Sequence, residues 1–279
     1  MTLQIYNTMA KAKQEFRPID DAKVKMYVCG VTVYDDVHMG HARFMVVFDM
    51  GSRYLRYRGF DVTLVINFTD VDDKIIKRAN EEGVDALVVS RRCIESFFRD
   101  SDALRVKRAN MYPKASETIP EIIGMVEDII KAGFGYVTPD GSVYFDVSRT
   151  TDYGKLSGNK LEEMISGARI EVDEIKRNPM DFCLWKAAKP GEISWDSPWG
   201  KGRPGWHIEC SAMVRKLLGE TIDIHGGGND LIFPHHENEI LQSESVTNKP
   251  LANYWMHNGM LQVADAKMSK SLKNFFSVK

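Results

Sequence analysis

Two short motifs stand near opposite ends of this 279-residue chain. His38-Met39-Gly40-His41 places two imidazoles three positions apart, so both could donate hydrogen bonds to one phosphate, and Gly40 allows a ligand close to the backbone. Lys267-Met268-Ser269-Lys270-Ser271 is a cationic segment of the kind that closes on a triphosphate. Each motif alone also fits ordinary surface histidines or a plain basic loop. Together, they indicate an enzyme that activates its substrate with a nucleotide.

A second candidate site consists of Cys29, Cys210, His235 and Glu239, whose side chains are all of types that can bind zinc. On a helix, His235 and Glu239 would share one face, whereas His236 would point about 100° away from His235. The four residues come from three separated segments, which is not a zinc-finger spacing. Residue types and spacing alone therefore favour the alternative of one or two buried free cysteines, a satisfied histidine and a surface glutamate.

The elements around the histidine motif predict an α/β fold. An apolar run at 24–29 indicates a buried strand that Gly30 ends, helical spacing follows at 41–58, and a β-branched run at 61–68 indicates another strand. Strand, helix and strand in this order predict a βαβ unit and hence a parallel sheet. The motif would then lie at the C-terminal ends of the strands, where a helix N-terminus offers N–H groups to an anion.

The middle of the chain has a different character. A helix is predicted at 121–132 and a hairpin at 135–147, and turn formers are frequent over 152–205. Alternating helices and strands return at 208–218, 221–225, from 235 onward and at 254–263. We therefore predict a nucleotide-binding catalytic domain formed by 1–115 and 200–265, an inserted connective subdomain at 116–199, and a lysine-motif loop at 266–279.

Composition narrows the class of protein. The net charge of -2 gives no overall basic field for nucleic acid, and the four cysteines are too widely spaced for a secreted disulfide framework. No apolar stretch approaches the roughly 18 residues that a membrane span needs. We expect a soluble cytoplasmic protein, with Cys93 and Cys183 as buried structural thiols.

The longer segments around these residues resemble the cysteinyl-tRNA synthetases, a family of class I aminoacyl-tRNA synthetases. The resemblance runs from about residue 4 to the end of the chain. Beside the two motifs, it rests on TDVDDKII at 69–76, SPWG at 197–200, GRPGWHIECSAM at 202–213, HGGGNDL at 225–231 and FPHHENE at 233–239.

The resemblance implies a Rossmann-like catalytic domain and a role for each candidate residue. One Zn²⁺ would be held by Cys29, Cys210, His235 and Glu239, and Thr69 and Trp206 would line the cysteine pocket. ATP, accompanied by Mg²⁺, would lie against Gly40, Gly228 and Asp230. The implied catalytic residues are His38, His41, Lys267 and Lys270; of these, His38, His41 and Lys270 would also bind ATP.

The implied reaction joins the carboxylate of L-cysteine to the α-phosphorus of ATP and passes the cysteinyl group to the acceptor end of tRNA(Cys). Zinc prefers a thiolate to a hydroxyl, so it would separate cysteine from serine, which shape alone distinguishes poorly. A monomer is expected. The alternatives are a cysteine ligase acting on a small amino-sugar acceptor, which the Lys74-Ile75-Ile76 run disfavours, and a non-catalytic zinc-binding or RNA-binding paralogue, which the intact motifs disfavour.

The chain departs from the family pattern at several positions. Met39 stands where isoleucine is usual, Lys273 stands where glycine is common, and residues 116–119 lack a histidine that the family often has. The chain stops at Lys279, before the position of an anticodon-binding domain in the family. We therefore expect the catalytic portion of a synthetase.

Overall fold

The computed structural model describes residues 2–158, 175–263, 266–268 and 274–279, with 266 and 267 described by their backbone alone. The chain forms two compact units. The first unit comprises Met1–Lys114, Ile222–Leu231 and Ala252–Lys279, and the second comprises Ala115–Thr221 and Ile232–Leu251. No helix within the described residues combines the length and the apolar composition that a bilayer crossing requires.

A four-stranded parallel sheet forms the centre of the first unit. Its strands are β3 (Lys23–Thr32), β4 (Asp61–Thr69), β9 (Ile222–Gly228) and β10 (Ala252–Asn258). They lie in the order β10-β9-β3-β4. Helix α1 (Met39–Tyr57) connects β3 to β4, which confirms the predicted βαβ unit and parallel sheet. Phe44, Phe48 and Leu55 form part of the buried face of α1.

Strand β3 corrects the sequence prediction at its C-terminal end, because it continues through Gly30 to Thr32. A Cβ atom at Gly30 would lie 1.8 Å from the backbone oxygen of Asn67 on β4. The Gly30 N–H instead donates to Asn67 Oδ1 at 2.9 Å, and the register between the two strands shifts between Val28 and Val31. Glycine is required here because another strand approaches closely, and not because the strand ends.

Strand β9 is likewise longer than predicted. The strand was predicted to end at His225, but the following glycines belong to it as well, and it ends at Gly228. A Cβ atom at Gly226 would lie 2.4 Å from Cε1 of Phe48, so the glycine lets α1 pack directly on the sheet.

Two capped helices follow β4. Helix α2 (Asp73–Glu82) begins after Asp72, whose carboxylate accepts from the Lys74 N–H, and it ends at Gly83 in the left-handed region. Helix α3 (Ala86–Ala103) begins after Asp85, whose carboxylate accepts from the Leu87 N–H. The short elements of this unit are the antiparallel pair β1 (Gln4–Asn7) and β2 (Ala12–Glu15) and the pair β11 (Gln262–Val263) and β12 (Ala266–Lys267).

The second unit combines an antiparallel sheet with three helices of the described chain. The sheet has the order β5-β6-β7-β8, with β5 (Gly135–Val137), β6 (Val143–Phe145), β7 (Phe182–Ala187) and β8 (Gly202–Pro204). The helices are α4 (Ile119–Lys131), α5 (Trp206–Leu217) and α6 (Glu237–Thr247). The predicted hairpin is confirmed, since β5 and β6 pair across residues 138–142.

The compact units divide the chain differently from the predicted domains. The second unit begins at Ala115, beside the predicted boundary, but it also takes in 200–221 and 232–251. These segments carry α5 and α6, whose Ile208, Ala212 and Leu241 lie in the same core as Phe145 and Trp185 of the sheet. Which residues form the catalytic domain, and which the inserted subdomain, stays a prediction.

Candidate metal centre and candidate active site

Five predicted ATP-binding residues of the first unit, and Thr69 of the predicted cysteine pocket, lie at the C-terminal ends of its parallel strands. His38, Gly40 and His41 follow β3, Thr69 ends β4, and Gly228 and Asp230 end and follow β9. Parallel neighbours place these ends at one edge of the sheet. This is where open α/β sheets bind their ligands.

His38 and His41 cap the N-terminus of α1 reciprocally. His38 Nδ1 accepts from the backbone N–H groups of Gly40 at 3.1 Å and His41 at 3.4 Å, and His41 Nδ1 accepts from the His38 N–H at 3.2 Å. Because each Nδ1 accepts, each neutral ring carries its proton on Nε2. Both Nε2 atoms are therefore donors, as recognition of a phosphate requires. The cap also explains why α1 begins at Met39, two residues before the predicted start.

Gly40, within the histidine motif, lies close to His38 and to Met268 of the lysine motif. A Cβ atom at this position would approach His38 Cε1 to 2.9 Å and the Met268 side chain to 3.4 Å. Met268, in the middle of the lysine motif, is buried. A side chain at Gly40 would therefore press on the His38 ring, which gives this glycine a role in packing beside its predicted role at the ligand.

The residues that follow the lysine motif pair with residues 37–39, around the start of α1. The Met39 N–H donates to the Phe276 carbonyl at 2.9 Å, and the Val278 N–H donates to the Val37 carbonyl at 3.2 Å. His38 and Ser277 form an antiparallel bridge between these two bonds. The backbone of Lys267 belongs to β12, whereas Lys270 lies outside the described residues.

Three of the four predicted metal ligands meet within the second unit. Ligand atoms of Cys210, His235 and Glu239 all lie within 4.8 Å of one another, and all three residues are buried. His235 Nε2 lies 3.0 Å from Glu239 Oε1. A thiol, an imidazole and a carboxylate together are a donor set that suits zinc. Burial of a carboxylate is costly without a partner charge, so the composition of the cluster fits a bound cation.

The local backbone differs from the helix that was predicted around His235. Helix α6 begins only at Glu237, and His235 lies in the preceding wide turn, Ile232–His236, which contains the non-helical residue Phe233. The predicted angle of about 100° between His235 and His236 therefore does not apply. His236 Nε2 lies 4.0 Å from the same Glu239 oxygen that contacts His235. The contact with Glu239 is shorter for His235, which agrees with the choice of His235 as a ligand.

The neighbouring residues of the cluster raise the pKa of His235. Burial opposes the charged form of its ring, but the facing carboxylate of Glu239 and the contact with Cys210 outweigh burial and raise the pKa of His235 to about 10. Trp206, the first residue of α5, stacks on the His235 ring with 4.3 Å between centroids and 28° between planes. The residue predicted at the cysteine pocket thus contacts a predicted metal ligand.

Cys29, the fourth predicted ligand, belongs to β3 of the first unit and is buried. Its Sγ lies within 4.8 Å of a ring nitrogen of His225 on the neighbouring β9. Sequence reasoning missed His225 as a metal-compatible neighbour, because only the pairing of β3 with β9 places the two residues side by side. The membership of Cys29 in a zinc site stays a prediction.

Two polar residues beside the metal-ligand cluster were also missed. His207 Nδ1 lies 2.9 Å from His235 Nδ1. Gln242 Nε2 donates to the His207 carbonyl and to Ser211 Oγ, both at 2.8 Å. The spacing of His207 and Cys210, three apart on a helix, could have indicated His207, whereas only the packing of α5 against α6 reveals Gln242.

Comparison with known proteins identifies the family. The profile of the tRNA synthetases class I (C) catalytic domain matches residues 15–279. Among curated relatives, the cysteine–tRNA ligase of Pelotomaculum thermopropionicum is 59% identical over 277 residues, which cover 99% of this chain and 57% of that protein. The cysteine–tRNA ligase of Geobacter sulfurreducens is 60% identical over 279 residues, which cover 100% of this chain and 58% of that protein. The chain thus spans just under three fifths of the length of these two relatives.

Solved structures support the fold. The methionyl-tRNA synthetase of Mycobacterium tuberculosis, in complex with methionyl-adenylate, superimposes with a TM-score of 0.64 at 15% identity, over 92% of this chain and 60% of that one. At this identity the likeness concerns the fold alone. The fold, the profile match and the curated relatives agree, and the chain belongs to the class I (C) family of tRNA synthetases, whose catalytic domain it contains.

Proposed function

We propose that this chain activates L-cysteine with ATP to cysteinyl-adenylate and transfers the cysteinyl group to the acceptor end of tRNA(Cys). The observation that carries the proposal is the buried set of Cys210, His235 and Glu239 beside Trp206, in a chain of this family. Curated relatives that match nearly the whole chain are named cysteine–tRNA ligases, which supports the same activity.

Selection of cysteine is assigned to the metal-ligand cluster. Cys210, His235 and Glu239 would hold one Zn²⁺, with Cys29 as the fourth ligand that the sequence resemblance implies. When bound, zinc would favour a thiolate over a hydroxyl and so separate cysteine from serine without an editing site. Trp206 and Thr69 would line the cysteine pocket; Trp206 would also hold the orientation of the His235 ring through their stacking.

Activation is assigned to the C-terminal edge of the parallel sheet. His38 and His41 would donate from Nε2 to phosphate oxygens of ATP, because their Nδ1 atoms already accept backbone N–H groups. Gly40, Gly228 and Asp230 would lie against the nucleotide, while Lys267 and Lys270 would neutralise the departing pyrophosphate and Mg²⁺ would accompany ATP. No covalent intermediate with a side chain is needed, since positioning and charge neutralisation lower the barrier.

The test is cysteine-dependent exchange of labelled pyrophosphate into ATP by the purified chain. We expect exchange with cysteine and little with serine. No exchange with any amino acid would contradict the proposal, and equal exchange with serine would contradict the assigned selectivity. Acceptors are then compared in a second step. Esterification of tRNA(Cys) is expected, whereas amide formation with glucosaminyl-inositol would favour the amino-sugar ligase, and activation followed by neither reaction would contradict the transfer step.

The remaining assignments rest on sequence. A cytoplasmic location is proposed because the wide spacing of the four cysteines fits a reducing compartment. A monomeric state is proposed as well.

A further inference from the structure

His207 and Glu239 contact different ring nitrogens of His235. The two Nδ1 atoms are 2.9 Å apart, while His235 Nε2 lies 3.0 Å from Glu239 Oε1. Two ring nitrogens at hydrogen-bond distance share one proton, so one ring donates and the other accepts. The identity of the donor therefore fixes the tautomers of both rings together.

We infer that His207 is a positioning residue for the metal centre, which accepts a hydrogen bond from His235 Nδ1–H and so directs the His235 Nε2 lone pair toward the cation. The inference deepens the proposed function and depends on it. A histidine that binds a metal through Nε2 must carry its proton on Nδ1, and that N–H needs an acceptor. His207 Nδ1, 2.9 Å from this atom, can accept the hydrogen bond when the proton of His207 is on its own Nε2.

The surroundings hold His207 in place. Its carbonyl accepts from Gln242 Nε2 at 2.8 Å, and the same Nε2 donates to Ser211 Oγ at 2.8 Å. Gln242 is fully buried and lies three residues after Glu239 on α6, whereas His207 lies three residues before Cys210 on α5. Gln242 thus joins the two helices about one turn away from the metal ligands that each contributes.

Aromatic packing fixes the plane of the His207 ring. Phe182 of β7 meets it edge-on, with 5.6 Å between centroids and 83° between planes, and Trp206 lies 5.1 Å away. Trp206 also stacks on His235, so the two histidines and the indole form one packed group. Rotation of His207 away from His235 would disrupt these contacts, which makes its acceptor nitrogen a fixed feature of the cluster.

The test compares two variants of the full chain. His207→Asn keeps an acceptor close to the position of Nδ1, because the amide oxygen of Asn branches from the same carbon, whereas His207→Phe keeps a ring and removes the acceptor. The readouts are zinc affinity in competition with a chelator, and the visible spectrum after Co²⁺ replaces zinc. We expect His207→Phe to weaken zinc binding by about 10- to 100-fold and to alter the Co²⁺ spectrum, and His207→Asn to remain within a few-fold of the wild type.

The possible outcomes separate this inference from the proposed function. Unchanged zinc affinity and an unchanged Co²⁺ spectrum in His207→Phe would overturn the inference while leaving the zinc site intact. Equal loss in both variants would also overturn it, because ring packing and not the acceptor would then be responsible. Thermal unfolding of the metal-free variants checks that both fold. A wild-type chain that binds neither zinc nor Co²⁺ would overturn the inference and the proposed zinc site together.

Discussion

The imidazole rings of His38 and His41 stack 3.8 Å apart, at 10° to each other, and each ring accepts a backbone N–H at the start of α1. The histidine motif therefore has two separable tasks. Nδ1 of each ring stabilises the helix end, and Nε2 carries the proton that the proposed function assigns to a phosphate oxygen of ATP. Most substitutions of these histidines would affect both tasks at once.

Substitution of His38 by Asn should separate capping from catalysis. Asn is among the best helix N-caps, so His38→Asn should keep the stability of the wild type, whereas His38→Ala should lower the free energy of unfolding by about 1 kcal/mol. Both variants lack the Nε2 donor and should show strongly reduced pyrophosphate exchange. Urea unfolding and the exchange assay, made on the same preparations, measure the two effects. Full exchange activity in His38→Asn would assign this histidine to capping alone.

Gly30 and Gly51 form a matched pair for a test of the close strand contact. A Cβ atom at Gly30 would lie 1.8 Å from the Asn67 backbone oxygen, so Gly30→Ala should destabilise the chain by about 3 kcal/mol or more. Gly51, within α1, has open space around the added methyl group, so Gly51→Ala should stabilise by about 0.5–1 kcal/mol. Urea unfolding measures both changes. An unchanged free energy of unfolding in Gly30→Ala would show that β3 and β4 move apart more easily than their close contact implies.

The purified chain should hold one tightly bound zinc, and Cys210→Ser should lose it. Because cysteine selection is assigned to this metal, the variant should bind cysteine much more weakly while retaining its affinity for ATP. Cys183→Ser is the control, since Cys183 lies on β7 and is not among the predicted ligands. Metal analysis and equilibrium binding measure these effects. Equal loss of cysteine and ATP binding would indicate a structural metal.

Lys270→Ala should slow adenylate formation by about 100-fold or more and leave cysteine affinity nearly unchanged. A charge that acts mainly in the transition state contributes to the rate and not to ground-state binding. Lys77→Ala, at an exposed lysine on α2, is the control for loss of one positive charge. Single-turnover kinetics with saturating substrates distinguish rate from binding. Poor cysteine binding with a normal rate at saturation would show that the assigned role is wrong.

Zinc-free and zinc-bound protein should respond oppositely to pH. Burial opposes charging of His235, but Glu239 and Cys210 raise its pKa to about 10 in the metal-free cluster. Because the native state then binds more protons than the unfolded chain, this stabilisation is complete below about pH 6.5 and is lost as the pH rises toward about 10. The free energy of unfolding of the zinc-free chain should therefore decline over that interval. Zinc requires the neutral ring, so apparent zinc affinity should rise over the same interval.

His235→Gln provides the control for this pH dependence. The variant keeps a polar side chain that does not titrate, so the decline in zinc-free stability should flatten. Unfolding curves at several pH values, in the presence of a chelator, measure it. A decline of equal slope in wild type and variant would place the responsible titration elsewhere.

Several features were predictable because they depend on local pattern or on distinctive residue types. The apolar run before Gly30 and the helical spacing after His41 predicted the βαβ unit, since periodicity reports which face of an element is buried. The two signature motifs and the segments around Cys210 and His235 identified the family. Cys210, His235 and Glu239 were predicted as ligands by this resemblance, and the structure brings these three together.

Only the tertiary structure revealed the roles of residues that contact residues distant in sequence. Gly30 was predicted to end its strand, and the strand before the glycines was predicted to end at His225. Sequence alone does not distinguish a glycine that leaves room for a neighbouring strand or helix from a glycine that forms a turn. Asn67 and Phe48 identify the close approach in each case. His207 and Gln242 likewise acquire their places only when α5 packs against α6. Sequence thus determined most of the elements and the family, whereas packing determined which polar groups contact the predicted metal ligands, since hydrogen bonds between helices depend on how the helices approach each other in three dimensions.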